Sequence, residues 1–366
     1  MKVALVCDWL THIGGAERVL KAIHDLYPEA PIYTSQYNPK GIDWFLNADV
    51  RTGWLQVFPA SLRRFLAPLR QLYFNHLDLS EYDLIISVTG AEAKGIKKGQ
   101  ATHICYCHVP TQYYWQLYDG YVKNPGFGAL NPLVRFFFRL LIKPLRRADY
   151  RSAQLPDYFV TISQYAQQQI KKYYHRDSTI IHPPVAVKRF ASSKTSPHRQ
   201  GFIITSRQVN WKRLDLAIKA CLKTKQPLTL IGDGSEHSQL QKLAGDSPLI
   251  TFLPTMTQSE LVSHLRQAKG YLFPSCEPFG IAPVEALAAG CPVIAYGAGG
   301  ALDYIQPGTN GLLFKHQTVK SLASAIETFL TTQFDERTVA KTATAFSEAR
   351  FKKQFKEFIR VKTHTR

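Results

Sequence analysis

Residues 275–300 constrain the fold of this chain more than any other stretch of its sequence. They follow an apolar run, residues 270–274, that has the composition of a short buried strand. Pro283 is suited to the first turn of a helix, and Gly290 is placed to end that helix before a second buried strand at residues 291–295. This order of strand, loop, helix and strand is typical of an open α/β sheet, in which ligands bind at the carboxyl ends of the strands.

Two glutamates lie in this stretch, separated by seven residues. Glu277 is expected in the loop after the first strand, and Glu285 on the helix that follows. Two carboxylates at one crevice can accept hydrogen bonds from ligand hydroxyls, and Gly280 allows backbone N–H groups to approach a phosphate at the helix start. By themselves, these residues are equally well explained as ordinary solvated glutamates.

The length and composition predict a two-domain protein of the reducing cytoplasm. A chain of 366 residues is long for one core, and 45% hydrophobic residues is ordinary for a protein with substantial cores. No apolar run approaches the roughly 18 residues that span a bilayer. The opening apolar run stops at Asp8, too early for a secretory signal. The six cysteines form no CxxC pair and are expected as buried thiols.

The net charge of +18 is a large excess of lysine and arginine, and two segments concentrate it. Residues 51–76 contain four arginines and no acid, and residues 131–151 carry six bases against one acid, or +5, around a run of phenylalanine and leucine. Such segments are typical of helices in an anionic membrane interface, where each base is worth about 1 kcal/mol. For residues 51–76, a surface helix that packs its apolar side on a sheet is an equally good interpretation. Nucleic acid is not expected, because no binding module is recognisable.

A double glycine follows the first expected strand, residues 2–9. Gly14 and Gly15 stand where a helix over about residues 16–26 begins, and a strand, a glycine turn and a helix start can cradle a phosphate. The pattern lacks the GxGxxG of dinucleotide-binding proteins, and a plain tight turn explains it equally well.

A histidine ends the expected strand at residues 103–108. Cys105, Cys107 and His108 cannot close a tetrahedral metal site from one strand without further ligands, so no metal is expected there. The aromatic residues that follow either line an acceptor cleft or belong to the core: Tyr113, Tyr114, Trp115, Tyr118 and Tyr121.

Two cations flank a later strand-to-helix turn. Arg207 and Lys212 lie between a strand at residues 201–205 and a helix at residues 214–222, where cations and a helix N-terminus can together neutralise a diphosphate. A solvated surface pair is the other interpretation, and the neighbouring Arg213 has no assigned role.

The spacing of Glu277 and Glu285, with Pro-Phe-Gly between them, resembles the signature of the glycosyltransferase 4 family, which consists of retaining enzymes of the GT-B fold. The resemblance extends over nearly the whole chain. It implies a nucleotide-sugar donor, with Glu277 at the transferred sugar and Glu285 at the ribose hydroxyls. It also implies donor contacts from the intervening residues Phe279, Gly280 and Ile281.

Further residues match the pattern of this family. The resemblance implies that Gly14 and Gly15 lie beside the donor phosphates and the sugar, and that His108 is the active-site histidine near the sugar. It implies that Arg207 and Lys212 contact the diphosphate.

The resemblance also implies the type of reaction. The loop at Gly234 would border the nucleotide base, and no metal or other cofactor is expected, since the chain has no Asp-x-Asp motif. Loss of the nucleoside diphosphate leaves negative charge on the β-phosphate, which Arg207 and Lys212 would stabilise. The expected reaction is a front-face attack in which the leaving phosphate accepts the proton of the acceptor.

The implied fold is α/β of the GT-B type, in which two Rossmann-like domains face each other across an interdomain cleft. Residues 1–190 are expected to form the acceptor-side domain, residues 201–335 the nucleotide-sugar-binding domain, and residues 191–200 a linker. A helix at about residues 336–361 is expected to pack back onto the first domain.

The Cys-His-Val-Pro-Thr run, followed by Tyr-Tyr-Trp, is most similar to bacterial mannosyltransferases of O-antigen and exopolysaccharide assembly. This similarity favours mannose from GDP-mannose as the transferred hexose. The acceptor would be a lipid-linked saccharide, reached by a cytoplasmic enzyme that is peripheral at the inner face of the cytoplasmic membrane. The alternatives are a UDP-sugar-dependent glycosyltransferase of the same fold, a nucleotide-sugar epimerase, and a non-enzymatic peripheral membrane-binding protein.

Overall fold

The computed structural model describes residues 1–60, 62, 66–123, 128–191 and 198–363, and the chain divides into two compact units. Met1–Pro183 and Phe351–Arg366 form the first unit, and Pro184–Arg350 form the second. Of the expected linker, residues 192–197 lie outside the described ranges.

The second unit begins earlier and ends later than the expected 201–335. Its N-terminal and C-terminal ends are joined by a β-bridge between Val185 and Ser347, and the backbone N–H of Val185 donates to the carbonyl oxygen of Phe346 at 2.9 Å. This pairing keeps residues 336–350 with the second unit, and the chain returns to the first unit at Phe351.

The first unit is built on a parallel sheet in which the described residues form seven strands. These are β1 (Val3–Cys7), β2 (Ile32–Thr34), β3 (Val50–Thr52), β4 (Leu84–Thr89), β5 (Thr102–Cys107), β6 (Tyr158–Thr161) and β7 (Thr179–Ile180). Their order in the sheet is β3-β2-β1-β4-β5-β6-β7. Strands β4 and β5 are buried along their whole length, as expected for a sheet covered by helices on both faces.

The helices before the boundary of the first unit are α1 (Gly15–His24), α2 (Ala67–His76), α3 (Tyr118–Lys123), α4 (Asn131–Ser152) and α5 (Gln164–Tyr174). Helix α5 begins where the sequence predicts, because the Ser163 hydroxyl accepts a hydrogen bond from the backbone N–H of Ala166. Within the described ranges, no helix combines the length and the apolar composition that crossing a bilayer requires.

The expectation of one basic amphipathic helix over residues 51–76 is wrong. The segment starts in strand β3, where β-branched Val50 and Thr52 pair in parallel with β2, and continues through a 3-10 turn at Trp54–Val57. Only Ala67–His76 is α-helical, and residues 61 and 63–65 lie outside the described ranges.

The second unit has a parallel sheet in which the described residues form six strands. These are β8 (Phe202–Thr205), β9 (Leu228–Ile231), β10 (Ile250–Leu253), β11 (Gly270–Phe273), β12 (Val293–Tyr296) and β13 (Gly311–Phe314). Their order is β10-β9-β8-β11-β12-β13, so the order reverses between β8 and β11, as it does between β1 and β4 in the first sheet. Such a reversal is the position where open α/β sheets bind ligands.

The remaining helices are α6 (Val187–Phe190), α7 (Leu214–Thr224), α8 (His237–Ala244), α9 (Gln258–Gln267), α10 (Ile281–Ala288), α11 (Val319–Thr331), α12 (Glu336–Ala343) and α13 (Glu348–Thr363). Helix α13 buries Phe351 and Phe355, whose rings lie 5.9 Å and 6.1 Å from the ring of Tyr106 on β5. The expected α/β class with two Rossmann-like domains is confirmed by these two parallel, doubly wound sheets.

Candidate functional site

The residues predicted for phosphate and sugar lie at the carboxyl edge of the second sheet, where its strand order reverses. Arg207 follows β8, and Glu277 follows β11, the neighbouring strand in the sheet. Lys212 ends a 3-10 turn at Asn210–Lys212, just before α7 begins. The fold therefore brings Lys212 into contact with Glu277, which lies 65 positions later in the chain.

Lys212 and Glu277 form an ion pair within this edge. The Lys212 Nζ lies 2.5 Å from Glu277 Oε1, and the Ser275 hydroxyl donates to the same oxygen at 2.8 Å. The Lys212 Nζ also lies 4.4 Å from the centroid of the Trp211 ring, within the range of a cation–π contact. The two charged side chains are 16% and 13% exposed, so they are held in place and still reach solvent.

Helix α10 begins at Ile281, two residues before Pro283, and this start depends on Gly280. Gly280 has a φ of 92°, which side-chain-bearing residues rarely adopt. A Cβ atom at this position would lie 2.7 Å from a ring carbon of Phe273 and 2.9 Å from the Tyr304 hydroxyl. The glycine therefore allows the loop to turn sharply into a helix whose first backbone N–H groups have no partner within the helix.

Two other residues predicted to contact the donor, one on α10 and one in the loop before it, are both buried. Glu285 lies on α10 with its side chain largely buried. Phe279 is a core residue, with its ring 5.4 Å from Tyr304 and 5.7 Å from Phe346. The Tyr304 hydroxyl also donates to the Phe279 carbonyl oxygen at 3.0 Å, so the Phe279 side chain serves to fix the loop.

Two glycines close the loop beneath Glu277. The backbone N–H of Gly300 donates to the Glu277 carbonyl oxygen at 2.8 Å. Gly299 has a φ of 70°, and a Cβ atom there would lie 2.3 Å from the same carbonyl oxygen. This close approach of two backbone segments sets the position of the Glu277 side chain.

The sequence offered no prediction for Gln208, which organises the loops around Arg207. Its buried amide nitrogen donates to the Gly232 carbonyl oxygen at 2.6 Å, and its Oε1 lies 2.8 Å from His237 Nδ1. A Cβ atom at Gly234 would lie 2.3 Å from the Gln208 carbonyl oxygen, so the predicted base-binding loop is packed tightly against this residue. A polar residue in the loop after a strand is the only signal that could have indicated this role.

The neighbouring cations Arg207 and Arg213 have different environments. The Arg207 side chain is exposed and has no recorded hydrogen bond or ion pair among the described residues. Arg213 has a φ of 55° and donates to both carboxylate oxygens of Asp215, at 3.0 Å and 3.1 Å. Arg213 is thus engaged at the start of α7, whereas Arg207 is available for an anion.

The corresponding edge of the first sheet is organised by Asp8, which follows β1. Its carboxylate accepts hydrogen bonds from the Thr89 hydroxyl at 2.9 Å and from the backbone N–H groups of Gly90 and Ala93, both at 2.9 Å. The double glycine comes next, with α1 beginning at Gly15 after Gly14. The expected order of strand, glycine turn and helix start is confirmed.

His108 lies directly after β5 at this same edge. Its side chain is partly buried, and its Nε2 is shielded from solvent without a hydrogen-bond partner among the described residues. Burial lowers the pKa of His108 to about 4, so the imidazole is neutral near pH 7. Cys105 and Cys107 are buried thiols, and no three His, Cys, Asp or Glu side chains within the described ranges lie close enough to hold a metal.

Two buried ion pairs behind this edge were not predicted from the sequence. Arg70 Nε lies 2.9 Å from Glu92 Oε2, and Lys94 Nζ lies 2.6 Å from Asp149 Oδ1. Burial raises the pKa of the Glu92 carboxyl, an effect that Arg70 counteracts. Burial acts to lower the pKa of Lys94, but the facing Asp149 outweighs it and raises the pKa.

The aromatic residues after His108 largely complete these pairs. The Tyr113 hydroxyl donates to Glu92 Oε1 at 2.5 Å, and the Trp115 indole N–H donates to Asp149 Oδ2 at 2.6 Å. The sequence left two interpretations open for this cluster, an acceptor cleft or the core. The core interpretation holds for Tyr114, which is buried, and for the indole nitrogen of Trp115.

Comparisons with known proteins agree with this arrangement. Anabaena HepE in complex with UDP superimposes with a TM-score of 0.71 at 20% identity, over 99% of this chain and 100% of that chain. This likeness shows the fold, which is GT-B. Residues 188–350 match the family model described as "Glycosyl transferases group 1".

Two of the relatives that match in sequence are mannosyltransferases. The alpha-1,3/1,6-mannosyltransferase ALG2 of Homo sapiens is 28% identical over 254 residues, 60% of each chain. The GDP-mannose-dependent monoacylated alpha-(1-6)-phosphatidylinositol monomannoside mannosyltransferase of Corynebacterium glutamicum is 30% identical over 198 residues, 46% of this chain and 52% of the relative. The alignments thus span less than two thirds of each relative. With the motif and the GT-B fold, these matches support the resemblance to the glycosyltransferase 4 family.

Proposed function

We propose that the protein is a retaining hexosyltransferase that uses a nucleotide-sugar donor, with GDP-mannose favoured, and a lipid-linked saccharide acceptor. The observation that carries this proposal is the ion pair of Lys212 and Glu277 at the strand-order reversal of the second sheet, with the exposed Arg207 in the loop after β8 at the same edge. A cationic edge next to a helix N-terminus suits a diphosphate, and carboxylates suit sugar hydroxyls.

The donor would be held by charges of both signs. Arg207 has no competing partner among the described residues, so it can turn towards the diphosphate together with the first N–H groups of α10. Glu285 would accept hydrogen bonds from the ribose hydroxyls. Glu277 would accept them from the transferred sugar, and Lys212 would share its charge between Glu277 and the nearer phosphate.

The proposed reaction needs no base from the protein. The bond from the anomeric carbon to the β-phosphate oxygen breaks while the acceptor oxygen attacks the same face of the sugar, which retains the anomeric configuration. The departing phosphate takes the proton of the acceptor, and the cations Arg207 and Lys212 stabilise its charge.

The names of the relatives favour mannose. The human relative is a mannosyltransferase, and the Corynebacterium relative is GDP-mannose-dependent. The UDP bound to Anabaena HepE favours a second candidate, a UDP-sugar-dependent transferase of the same fold. In either case we propose that the enzyme works as a peripheral protein at the inner face of the cytoplasmic membrane, where a lipid-linked acceptor would lie.

A thermal-shift titration with GDP, UDP, ADP and their sugar conjugates tests the donor site. A donor at about 100 times its dissociation constant should stabilise the protein by about 2.7 kcal/mol. Selective stabilisation by GDP and GDP-mannose that is lost in Arg207→Ala is the expected result. The matched control is Lys219→Ala, which removes an exposed cation from α7 and should keep the full response. A response to UDP alone would replace mannose by the second candidate, and no response to any nucleotide would overturn the proposal.

A further inference from the structure

Helix α4 is fixed to the first unit by a side that contains three of its charged residues. This side consists of residues at spacings of three and four, namely Arg135, Phe138, Ile142, Arg146 and Asp149. Arg135 Nε donates to the carbonyl oxygen of Val122 at 3.0 Å, and Asp149 forms its buried pair with Lys94. Two arginines on this side are therefore not available for outside partners.

Arg146 shows how firmly this side is held. Its Nε donates to the carbonyl oxygen of Tyr114 at 2.6 Å, and its guanidinium carbon lies 5.2 Å and 4.8 Å from the ring centroids of Trp115 and Tyr118. A hydrogen bond and two cation–π contacts fix the rotation of the helix about its own axis.

The opposite side of α4 is apolar and faces solvent. We call the exposed residues on it the α4 stripe: Leu133, Phe136, Phe137, Leu140 and Leu141. Each of these side chains is between 40% and 63% exposed, and their spacing of three and four places them side by side on the helix. Single exposed apolar residues are common, but a contiguous row of large ones marks an interaction surface. The helix is thus amphipathic in the reverse sense to an ordinary surface helix.

Basic residues border the α4 stripe. Arg139, Lys143 and Arg147 recur every four residues and are all exposed. The only acidic residue of α4 is Asp149, which is buried, so no exposed negative charge on the helix offsets them. The surface therefore combines large apolar side chains with uncompensated positive charge.

We infer that α4 docks the protein on an anionic phospholipid bilayer. The α4 stripe inserts at the boundary between headgroups and acyl chains, and the flanking cations contact the headgroups. The helix is 22 residues long, which at 1.5 Å per residue is about 33 Å of contact in the plane of the surface. This inference rests on the proposed membrane location and deepens it by naming the element and the lipid class.

A second copy of the chain fits this surface less well than a bilayer. A two-fold contact between two α4 helices would place Arg139, Lys143 and Arg147 of both copies at one interface. Like charges brought together in this way oppose association, whereas anionic headgroups complement all three.

Helix α2 is the helical part of the other basic segment, residues 51–76, and it does not combine exposed apolar residues with exposed positive charge. Leu69 and Leu72 are exposed on it, but Arg70 between them is buried against Glu92. Within the described part of residues 51–76, Arg51 is paired with Asp49 at 2.7 Å. Substitutions of the two α2 leucines are therefore a matched control for loss of exposed apolar surface alone.

Co-sedimentation with vesicles tests the inference, using the full chain without any nucleotide sugar, so that failure of sugar transfer cannot affect the result. We expect binding to vesicles of 30% phosphatidylglycerol in phosphatidylcholine and much weaker binding to pure phosphatidylcholine. Phe136→Ser/Leu140→Ser should lower the partition coefficient at least tenfold, and Leu69→Ser/Leu72→Ser should leave it within twofold. Circular dichroism and the melting temperature establish that both variants are folded.

The charge contribution is measured separately. Replacement of Arg139, Lys143 and Arg147 by glutamine should weaken binding roughly 100-fold at low salt, since each base near an anionic leaflet contributes about fivefold. Equal binding to both vesicle types, or loss of binding in the α2 control rather than in the α4 variant, would overturn the inference. So would light scattering that shows a dimer converted to a monomer by Phe136→Ser/Leu140→Ser without any vesicle binding by the wild type.

Discussion

Ion pairs of lysine with a carboxylate occur at the carboxyl edges of both sheets, but the pair at the first sheet is buried and the pair at the second sheet reaches solvent. Behind the edge of the first sheet, Lys94 and Asp149 are sealed from solvent, and hydrogen bonds from Thr111, Trp115 and Tyr174 fill the remaining positions around the carboxylate. At the edge of the second sheet, Lys212 and Glu277 keep contact with solvent, and Arg207 is exposed.

The difference indicates separate roles for charge in the two units. A buried pair has lost its hydration and cannot exchange partners without exposing an uncompensated charge, so it fixes structure. A pair that still reaches solvent can give up part of its interaction to a ligand. The ion pairs behind the first edge thus fix its structure, whereas the charged side chains of the second edge can still exchange partners.

The largest effect that would test this comparison is expected from Lys94→Met. It leaves the Asp149 carboxylate buried without its counter-charge, so the free energy of unfolding should fall by about 3–5 kcal/mol. The matched change at the second edge, Lys212→Met, should cost about 1 kcal/mol or less, because Glu277 can still be solvated. Urea denaturation of both variants measures the two values, and equal losses would remove the distinction.

Glu277→Gln should lower activity strongly and stability only slightly, the opposite of what we expect for Lys94→Met. We expect a loss of roughly 100- to 1,000-fold in kcat/KM for sugar transfer, the range for removal of a preorganised polar group at a reacting centre. Stability should change little, since Ser275 can still donate to the remaining oxygen. Glu327→Gln, at an exposed position of α11, is the control and should retain wild-type activity. Near-normal turnover in Glu277→Gln would show that the second edge is not the reacting site.

Gly280→Ala tests the shape of the second edge rather than its charge. The added Cβ combines a left-handed φ with a 2.7 Å approach to Phe273, so we expect a loss of about 2–3 kcal/mol in unfolding free energy. Gly308→Ala has a similar φ of 79° but open space around its Cβ, and should cost about 1 kcal/mol. The difference in melting temperature between the two variants isolates the contact, and no difference would contradict the tight fit.

The last prediction concerns pH and the first edge. Burial lowers the pKa of His108 to about 4 and that of His103 to about 3, below the value of about 6.5 expected in the unfolded chain. The unfolded state therefore binds more protons, and the stabilisation present above pH 6.5 is lost as the pH falls towards 4. Each histidine contributes up to about 1.4 kcal/mol per pH unit.

His108→Gln should reduce the change of unfolding free energy with pH by the contribution of one histidine. Unfolding free energies measured between pH 7.5 and pH 5 for the variant and the wild type give the difference directly. Identical slopes for the two proteins would mean that His108 is as easily protonated in the folded state as in the unfolded one.

Local sequence patterns predicted most of the second edge. Arg207, Lys212 and Glu277 each follow a recognisable strand, and the rule that ligands bind at carboxyl ends of parallel strands brings them together. The buried pair of Lys94 and Asp149 escaped prediction because its members are 55 positions apart and each has the composition of a surface charge. Gln208 escaped because its role consists entirely of contacts with loops that are distant in sequence.

Segment 131–151 shows a different limit of sequence reasoning. Its periodicity indicates an apolar side and a basic side, but periodicity does not say which side meets the rest of the protein. The side of α4 that faces the protein is set by carbonyl groups and aromatic rings of residues 113–123. These groups bind Arg135 and Arg146, so that the leucines and phenylalanines of the α4 stripe face outward.

This outward orientation of α4 has a practical consequence for handling the protein. During purification, the α4 stripe is expected to adhere to hydrophobic material such as column matrices and unfolded proteins. Mild detergent micelles or lipid nanodiscs, rather than changes of buffer or salt, are therefore the appropriate means of keeping concentrated samples monodisperse. Crystals grown without them should bury the α4 stripe in a lattice contact.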